Sequence, residues 1–468
     1  MEFVNEENKQ EDITNKLHEL IKKGSAKAYL SFFKKYHEAD IAESLEEFNH
    51  KDVQAFFKNV KPEFSVEVLE EMRLTEQLEL INDLKVELAA KIIEEMEPDD
   101  AADLIEELQE TNEQKADRII NALPKKEASE IIDLLSFPED SAGAIMTSEF
   151  LSIPENLTIE KAIQKLKKED PPDSEISFYI YIVTKKNKLI GYTTLRNLVF
   201  ESPSKTIKEI RNDNPIKVHS HTDQEDVAKM FRKYDVVALP VVDKNDILIG
   251  LITVDDIVDV VVEEATEDIN KLSGISEIDE EKLISGNIFL AIFSRTPWLL
   301  LTVIGGIIAS YIITTYSLLF DSSHFSLAVS LSFIPLLMGL GGNVGNQSAT
   351  IIVRSLAIGT IKKEAPLKYV FRETLVGLIM GLIISGIFFI YNMSFTSHSL
   401  LFSGIVAISL ASNICIAAII GSSLPIIFKK CNIDPAIASA PFISSTLDIT
   451  GQLIYFSLTF YLISVFAI

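Results

Sequence analysis

Apolar and polar positions follow three different periods along the chain. From residue 13 to about 137, apolar residues recur at helical spacing in short segments parted by polar turns, as in Ala39-Asp-Ile-Ala-Glu-Ser-Leu45, Ala89-Ala-Lys-Ile-Ile-Glu-Glu-Met96, Ala101-Ala-Asp-Leu-Ile-Glu-Glu-Leu108 and Ala128-Ser-Glu-Ile-Ile-Asp-Leu-Leu135. Repeated short amphipathic helices of this kind predict a small α-superhelix. From about Pro138 the pattern changes to short β-type runs paired with helices, and the change occurs twice. The last third is different again, with long apolar runs that lack Asp, Glu, Lys and Arg.

Those runs are long enough to cross hydrocarbon, which takes about 20 apolar residues per helix. Residues 296–319 and 325–353 read as two spans, and the uncharged stretch from Thr374 to Phe428 reads as two more, interrupted between Tyr391 and Ser399. A last span from about Pro435 to Ile468 makes five.

Charge is segregated in the same way. The chain of 468 residues carries a net charge of −25 and yet a mean hydropathy of +0.21. Residues 1–286 hold 35 Lys and Arg against 63 Asp and Glu, whereas 287–468 hold 8 against 5. The acidic balance disfavours nucleic acid as a partner, and two cysteines cannot form a disulfide scaffold. The acidic start MEFVNEENKQED is unlike a secretory leader. Basic loop residues are retained on the cytoplasmic side. Arg295, the group Arg354, Lys362, Lys363, Lys368 and Arg372, and the pair Lys429 and Lys430 all fall on one side if the N-terminus is cytoplasmic and the C-terminus outside.

Two features of the apolar third carry chemistry. Pro335 to Thr350 is rich in glycine and brings Asn343, Asn346, Gln347 and Thr350 to membrane depth. Small residues alone serve close helix packing; clustered amides also suit a path lined by neutral oxygens that replace part of an ion's hydration shell. Asp448 is the only Asp, Glu, Lys or Arg of the last span, fourteen positions after Asp434, or about 21 Å deeper if the whole interval is helical. A carboxylate there needs a proton, a partner or a cation. Asp434, in Asn432-Ile-Asp434-Pro435, reads as a helix cap at the cytoplasmic mouth.

The polar part has its own acidic sites. Asp99, Asp100 and Asp103 cluster on one helix start, more acid than capping and the helix dipole require. Further on, Asp256, Asp259, Glu263 and Glu267 step by three, four and four and share a face of the helix that leads to the spans. Like charges at these spacings destabilise a helix unless something neutralises them.

The two β-containing copies end alike, Leu189-Ile-Gly191-Tyr-Thr-Thr194-Leu-Arg-Asn197 and Leu248-Ile-Gly250-Leu-Ile-Thr253-Val-Asp-Asp256. They resemble a tandem pair of CBS domains, modules that often bind adenine nucleotides through the closing Asp, a position where the first copy has Asn197. With Met96-Glu-Pro-Asp-Asp-Ala-Ala-Asp103, Glu264-Ala-Thr-Glu-Asp268, Pro335 to Gln347 and Leu447-Asp448, nearly the whole chain is similar to the MgtE family of magnesium channels or transporters. The resemblance implies a multidomain membrane protein: an all-α superhelical N-terminal domain over 1–137, α/β CBS domains over 138–204 and 205–262, an acidic connecting helix and linker over 263–286, and a five-helix transmembrane domain over 287–468. It implies a homodimer in the cell membrane that takes up Mg²⁺ and is no enzyme. Asp448 would bind the ion in the pore, with Asp434 near its mouth and Asn343, Asn346 and Gln347 lining the path. Closure would follow Mg²⁺ binding at Asp99, Asp103, Asp223, Glu225, Asp235, Asp256, Asp259, Glu264, Glu267 and Asp268. ATP stays open as a ligand of the CBS pair. Two other readings stay open as well, a proton-coupled divalent cation exchanger and a membrane-anchored nucleotide sensor.

Overall fold

The computed structural model describes residues 2–23, 26–168, 179–275, 288–320, 331–357, 360–361, 366–396 and 399–466. The chain forms two compact units, Met1–Val262 and Glu263–Ile468.

The first unit opens with nine helices among the described residues, from α1 (Glu2–Lys23) to α8 (Pro98–Ala122) and α9 (Lys125–Leu134). Local chemistry sets their ends. Asn49 caps the helix His50–Asn59 by accepting from the Asp52 N–H, and Pro62 and Pro98 open their helices at the first turn, where a missing N–H costs nothing. The apolar faces meet in one core in which Phe56, Phe57, Ile41, Leu69, Leu80 and Ile81 are fully buried. Helix α8 is broken at Asn112, whose φ of −154° and ψ of 69° leave the helical region.

Two three-stranded sheets follow, alike in plan. In the first, β1 (Ser152–Pro154) runs parallel to β2 (Tyr179–Val183), which pairs antiparallel with β3 (Leu189–Thr194). In the second, β4 (Val218–His219), β5 (Ala238–Val242) and β6 (Leu248–Thr253) repeat that order. The copies exchange support: Thr147, ahead of β1, bridges Leu251 of β6, and Asn212, ahead of β4, bridges Tyr192 of β3. The shared Ile-Gly dipeptide follows from this exchange. A Cβ on Gly250 would meet Met146 Sδ at 2.4 Å and Thr147 O at 2.9 Å, and one on Gly191 would meet Asn212 O at 2.5 Å. Helix α14 (Val254–Ser273) leaves β6 directly and carries the chain into the second unit.

Five long helices make up most of the second unit: α15 (Ile288–Phe320), α16 (Ile334–Ala357), α17 (Pro366–Phe395), α18 (Leu400–Lys430) and α19 (Ala440–Phe466). Four of them, all but α16, are long and apolar enough to cross a membrane. The expectation of five spans thus meets four, because the glycines and amides that make α16 chemically interesting also lower its hydropathy. Helix α18 is the most enclosed, 56% of its apolar window being buried. Small residues let its neighbours come close; a Cβ on Gly421 of α18 would sit 2.2 Å from the Gly345 carbonyl oxygen of α16. Buried Asn413 of α18 donates to the Leu337 carbonyl at 2.8 Å and ties the same two helices by a polar bond.

Candidate functional site

Helix α16 has two chemically distinct faces. Val344, Gly345, Ser348 and Ala349 are buried, while Asn343, Gln347, Thr350 and Ile351 are exposed and Asn346 lies between. Positions 343, 346, 347 and 350 share one side of a helix, and with Ile351 they line an open groove of about 430 Å³. Asn346 donates to Ser444 Oγ of α19 at 3.3 Å, and its own carbonyl oxygen is buried without a partner. Ser444 is one helical turn before Asp448. Leu447 packs where a Cβ on Gly345 would fall, 2.2 Å from its Cδ1, which presses α19 against α16 at this level. The half-buried Asp448 has no hydrogen-bond or ion-pair partner among the described residues. The structure therefore brings the expected carboxylate and amides to neighbouring positions on two packed helices.

One expectation needs correction. Asp434 and Asp448 are not joined by one helix: Asp434 caps a short 3₁₀ turn, Pro435–Ile437, and α19 starts only at Ala440. Asp448 is eight residues into α19, so only about 12 Å of its separation from Asp434 is α-helical rise, rather than the whole 21 Å. Asp434 Oδ1 accepts from the Ala436 N–H at 2.8 Å and closes the 3₁₀ turn, and the backbone leaves the helical region at Ala438, whose ψ is 54°, before α19 begins. The other oxygen of Asp434 accepts from Lys271 Nζ at 2.9 Å, and Lys271 also pairs with Glu267.

In the first unit the acids converge across elements. Asp99, in the first turn of α8, is 7% exposed and its Oδ1 has no partner. Burial, with the charges of Asp256, Asp100 and Glu97, holds its carboxyl well above the usual carboxylate range. Burial and then Asp100, Asp256 and Asp255 push Glu97 up to about 7, and burial and then Asp256, Asp259 and Asp255 push Asp100 up to about 6. Both keep contact with water, which screens their charge, whereas Asp99 is nearly shut off from it. Asp256 is raised as well, by burial first, although it accepts from the backbone N–H and hydroxyl of Thr253 and so closes the start of α14. Asp259 is also raised by burial. Asp103 is exposed one turn along α8.

The remaining expected acids stand apart. Asp223 caps the helix Gln224–Tyr234 by accepting from the Glu225 N–H at 3.0 Å, Glu225 pairs with Lys229, and Asp235 ends that helix at a φ of 49°. The eleven-residue helix between them puts Asp223 and Asp235 about 18 Å apart. Glu264 and Asp268 lie half-buried on α14. Among the described residues no three His, Cys, Asp or Glu side chains are arranged to hold a metal ion by themselves. Lys362 and Lys363 of the expected basic loop lie outside the described residues.

Sequence reasoning missed three participants. Glu97 and Glu70 belong to the acidic group; burial pushes Glu70 up to about 8, and its Oε1 accepts from the Glu97 N–H at 3.1 Å. Their signal was weak, because each lies in an acid-rich stretch of ordinary helix composition. Lys271 was legible as the one basic residue of α14, but its partner was not.

Comparison with known proteins adds identity to this geometry. The family described as "Divalent cation transporter" matches residues 334–458, the "MgtE intracellular N domain" matches 36–140, and the "CBS domain" matches 142–203 and 207–263. The magnesium transporter MgtE of Thermus thermophilus is 35% identical over 73% of this chain and 74% of its own length. That of Enterococcus faecalis is 37% identical over 71% of each. Among solved structures, the soluble part of a magnesium transporter superposes with a TM-score of 0.51 at 33% identity, covering 55% of this chain and 99% of its own. The cytosolic domain of the Mg²⁺ channel MgtE in complex with ATP gives 0.50 at 30% identity, covering 53% and 99%.

Proposed function

Because the chain belongs to the MgtE family of magnesium transporters, we propose that it carries Mg²⁺ across the cell membrane along the α16–α19 face and closes when cytoplasmic Mg²⁺ fills the acidic sites. The observation that carries this reading is Asp448: a carboxylate without a partner, beside the amides of a groove open on one side. A groove open in one chain becomes a conduit when a second copy supplies the far wall, which favours a homodimer. Mg²⁺ usually keeps several waters and uses one or two carboxylates directly, so Asp448 from each copy with water and amide oxygens suits it.

Helices α15 to α19 serve as five spans, with α16 shielded from lipid by its neighbours, the N-terminus cytoplasmic and the C-terminus outside. The basic residues Arg295, Arg354, Lys368, Arg372, Lys429 and Lys430 then share the cytoplasmic side.

Closure follows from electrostatics. Asp99, Asp103, Asp256 and Asp259 belong to elements whose acids oppose one another; Mg²⁺ between them turns repulsion into attraction and favours the compact arrangement. Asp223, Glu225, Asp235, Glu264, Glu267 and Asp268 are assigned to further regulatory Mg²⁺ contacts, those far apart in one chain drawing on the second copy. ATP is a further ligand of the CBS pair, on the likeness to the ATP-bound cytosolic domain.

The test is Mg²⁺ current through the full chain in lipid, with the cytoplasmic Mg²⁺ concentration stepped, for the intact protein and Asp448→Ala. Current should fall as cytoplasmic Mg²⁺ rises and vanish in the variant. A current in Asp448→Ala equal to that of the intact protein would exclude this path. Uptake that stops when a proton gradient is collapsed would favour coupled exchange instead.

A further inference from the structure

Lys271 is the single basic residue of α14 and lies in its last turn. A helix C-terminus favours a cation, yet this side chain does not extend into water. It is 14% exposed and donates to Asp434 Oδ2, 163 residues further along the chain, at 2.9 Å, as well as pairing with Glu267 one turn earlier. The placement is built from several directions. Gly274, at a φ of +76°, ends the helix while Gly274 N–H donates to Lys271 O at 3.1 Å and Ile275 N–H donates to Asn270 O at 2.9 Å. A Cβ on Gly274 would meet Pro441 Cγ at 2.6 Å and Trp298 Cγ at 3.4 Å, so this turn is seated against α15 and the start of α19. Asp434 is held from its own side by the Ala436 N–H on Oδ1. One carboxylate oxygen is therefore used by backbone and the other by the ammonium.

We infer that Lys271 is a tethered competitor at the cytoplasmic mouth: its ammonium and a divalent cation exclude each other on Asp434 Oδ2, so an ion using that oxygen must first displace Lys271. The inference rests on the reading of Asp434 as part of the cation path. Two cations on one carboxylate oxygen repel at close range, which makes occupancy exclusive. Glu267 gives the displaced ammonium a second carboxylate within reach, so displacement does not strand a charge.

The experiment uses the full chain with Mg²⁺ as the only divalent ion. Mg²⁺ flux through liposomes and Mg²⁺ binding by calorimetry are measured for the intact protein, Lys271→Met, Lys271→Gln, Lys271→Arg, and Lys271→Met combined with Asp434→Asn. The two neutral variants should bind Mg²⁺ at least about threefold more tightly at one site and change flux at low cytoplasmic Mg²⁺ by a similar factor. Arg should behave like the intact protein, and Asp434→Asn should erase the gain of Lys271→Met. Neutral variants whose binding and flux match the intact protein would overturn the inference, and so would a gain that survives Asp434→Asn. An intact protein with no Mg²⁺ flux would count against the transport reading instead, and calorimetry would still decide the competition at Asp434.

Discussion

The two units use carboxylates in opposite ways. Around Asp99 the first unit crowds acid upon acid, with Glu97, Asp100 and Asp256 each raising its neighbours. In the second unit Asp448 is a single carboxylate beside the neutral amides of α16, and nothing among the described residues repels or neutralises it. The contrast teaches what each arrangement suits. A crowd of acids stores repulsion, so an arriving cation changes the balance between conformations. A lone acid among neutral oxygens holds a cation and also releases it, which conduction requires.

The largest expected effect comes from erasing the neutral half of that contrast. Asn346→Leu with Gln347→Leu should cut Mg²⁺ flux by at least about 30-fold, equivalent to about 2 kcal/mol, while Mg²⁺ still raises the melting temperature. If flux and Mg²⁺ stabilisation fall together, the two regions are not separable. Next in size, Gly421→Ala forces a methyl towards the Gly345 carbonyl. Overpacking of this kind costs about 1–3 kcal/mol, visible in detergent melts as a lower melting temperature for the second unit's transition alone.

Smaller effects test the acidic half. Asp99→Asn removes a buried carboxyl whose ionisation burial and its acidic neighbours oppose, so in Mg²⁺-free buffer above neutral pH it should stabilise the protein by about 1 kcal/mol and shrink the stabilisation gained from Mg²⁺. The smallest effect is on pH. Folding raises Glu70 to about 8 and Glu97 to about 7 from 4.5, so between those values the folded protein holds more protons than the unfolded chain. Stability without Mg²⁺ should then fall as pH rises from about 4.5 to 8, by up to about 1 kcal/mol after solvent screening. Added Mg²⁺ should stabilise more at pH 8 than at pH 5.5. A flat profile in Mg²⁺-free melts would show that Glu70 and Glu97 keep the ordinary carboxylate range in the folded state.

Much of the architecture was legible because it is periodic. The amphipathic repeats before Leu135, the doubled Ile-Gly-x-x-Thr ending and the uncharged runs each depend on neighbours a few residues away. Asp448 and the amides of α16 were legible too, since ionisable and amide groups stand out against an apolar background. The depth of Asp448 was not. It turned on whether Asp434 caps an α-helix or a 3₁₀ turn, and both begin with Asp-Pro.

The sequence by itself determined which groups are present and in which stretch: a crowd of acid before residue 287, amides and one carboxylate within the apolar runs after it. Tertiary structure alone decided which of them meet. Asp99 feels Asp256 because the fold brings the starts of α8 and α14 within electrostatic reach, and Lys271 finds Asp434 across 163 residues. The physical reason is range. Helical and strand periodicity records interactions within about one turn, whereas burial and charge coupling depend on which surfaces are packed together, and no short spacing in the chain encodes that.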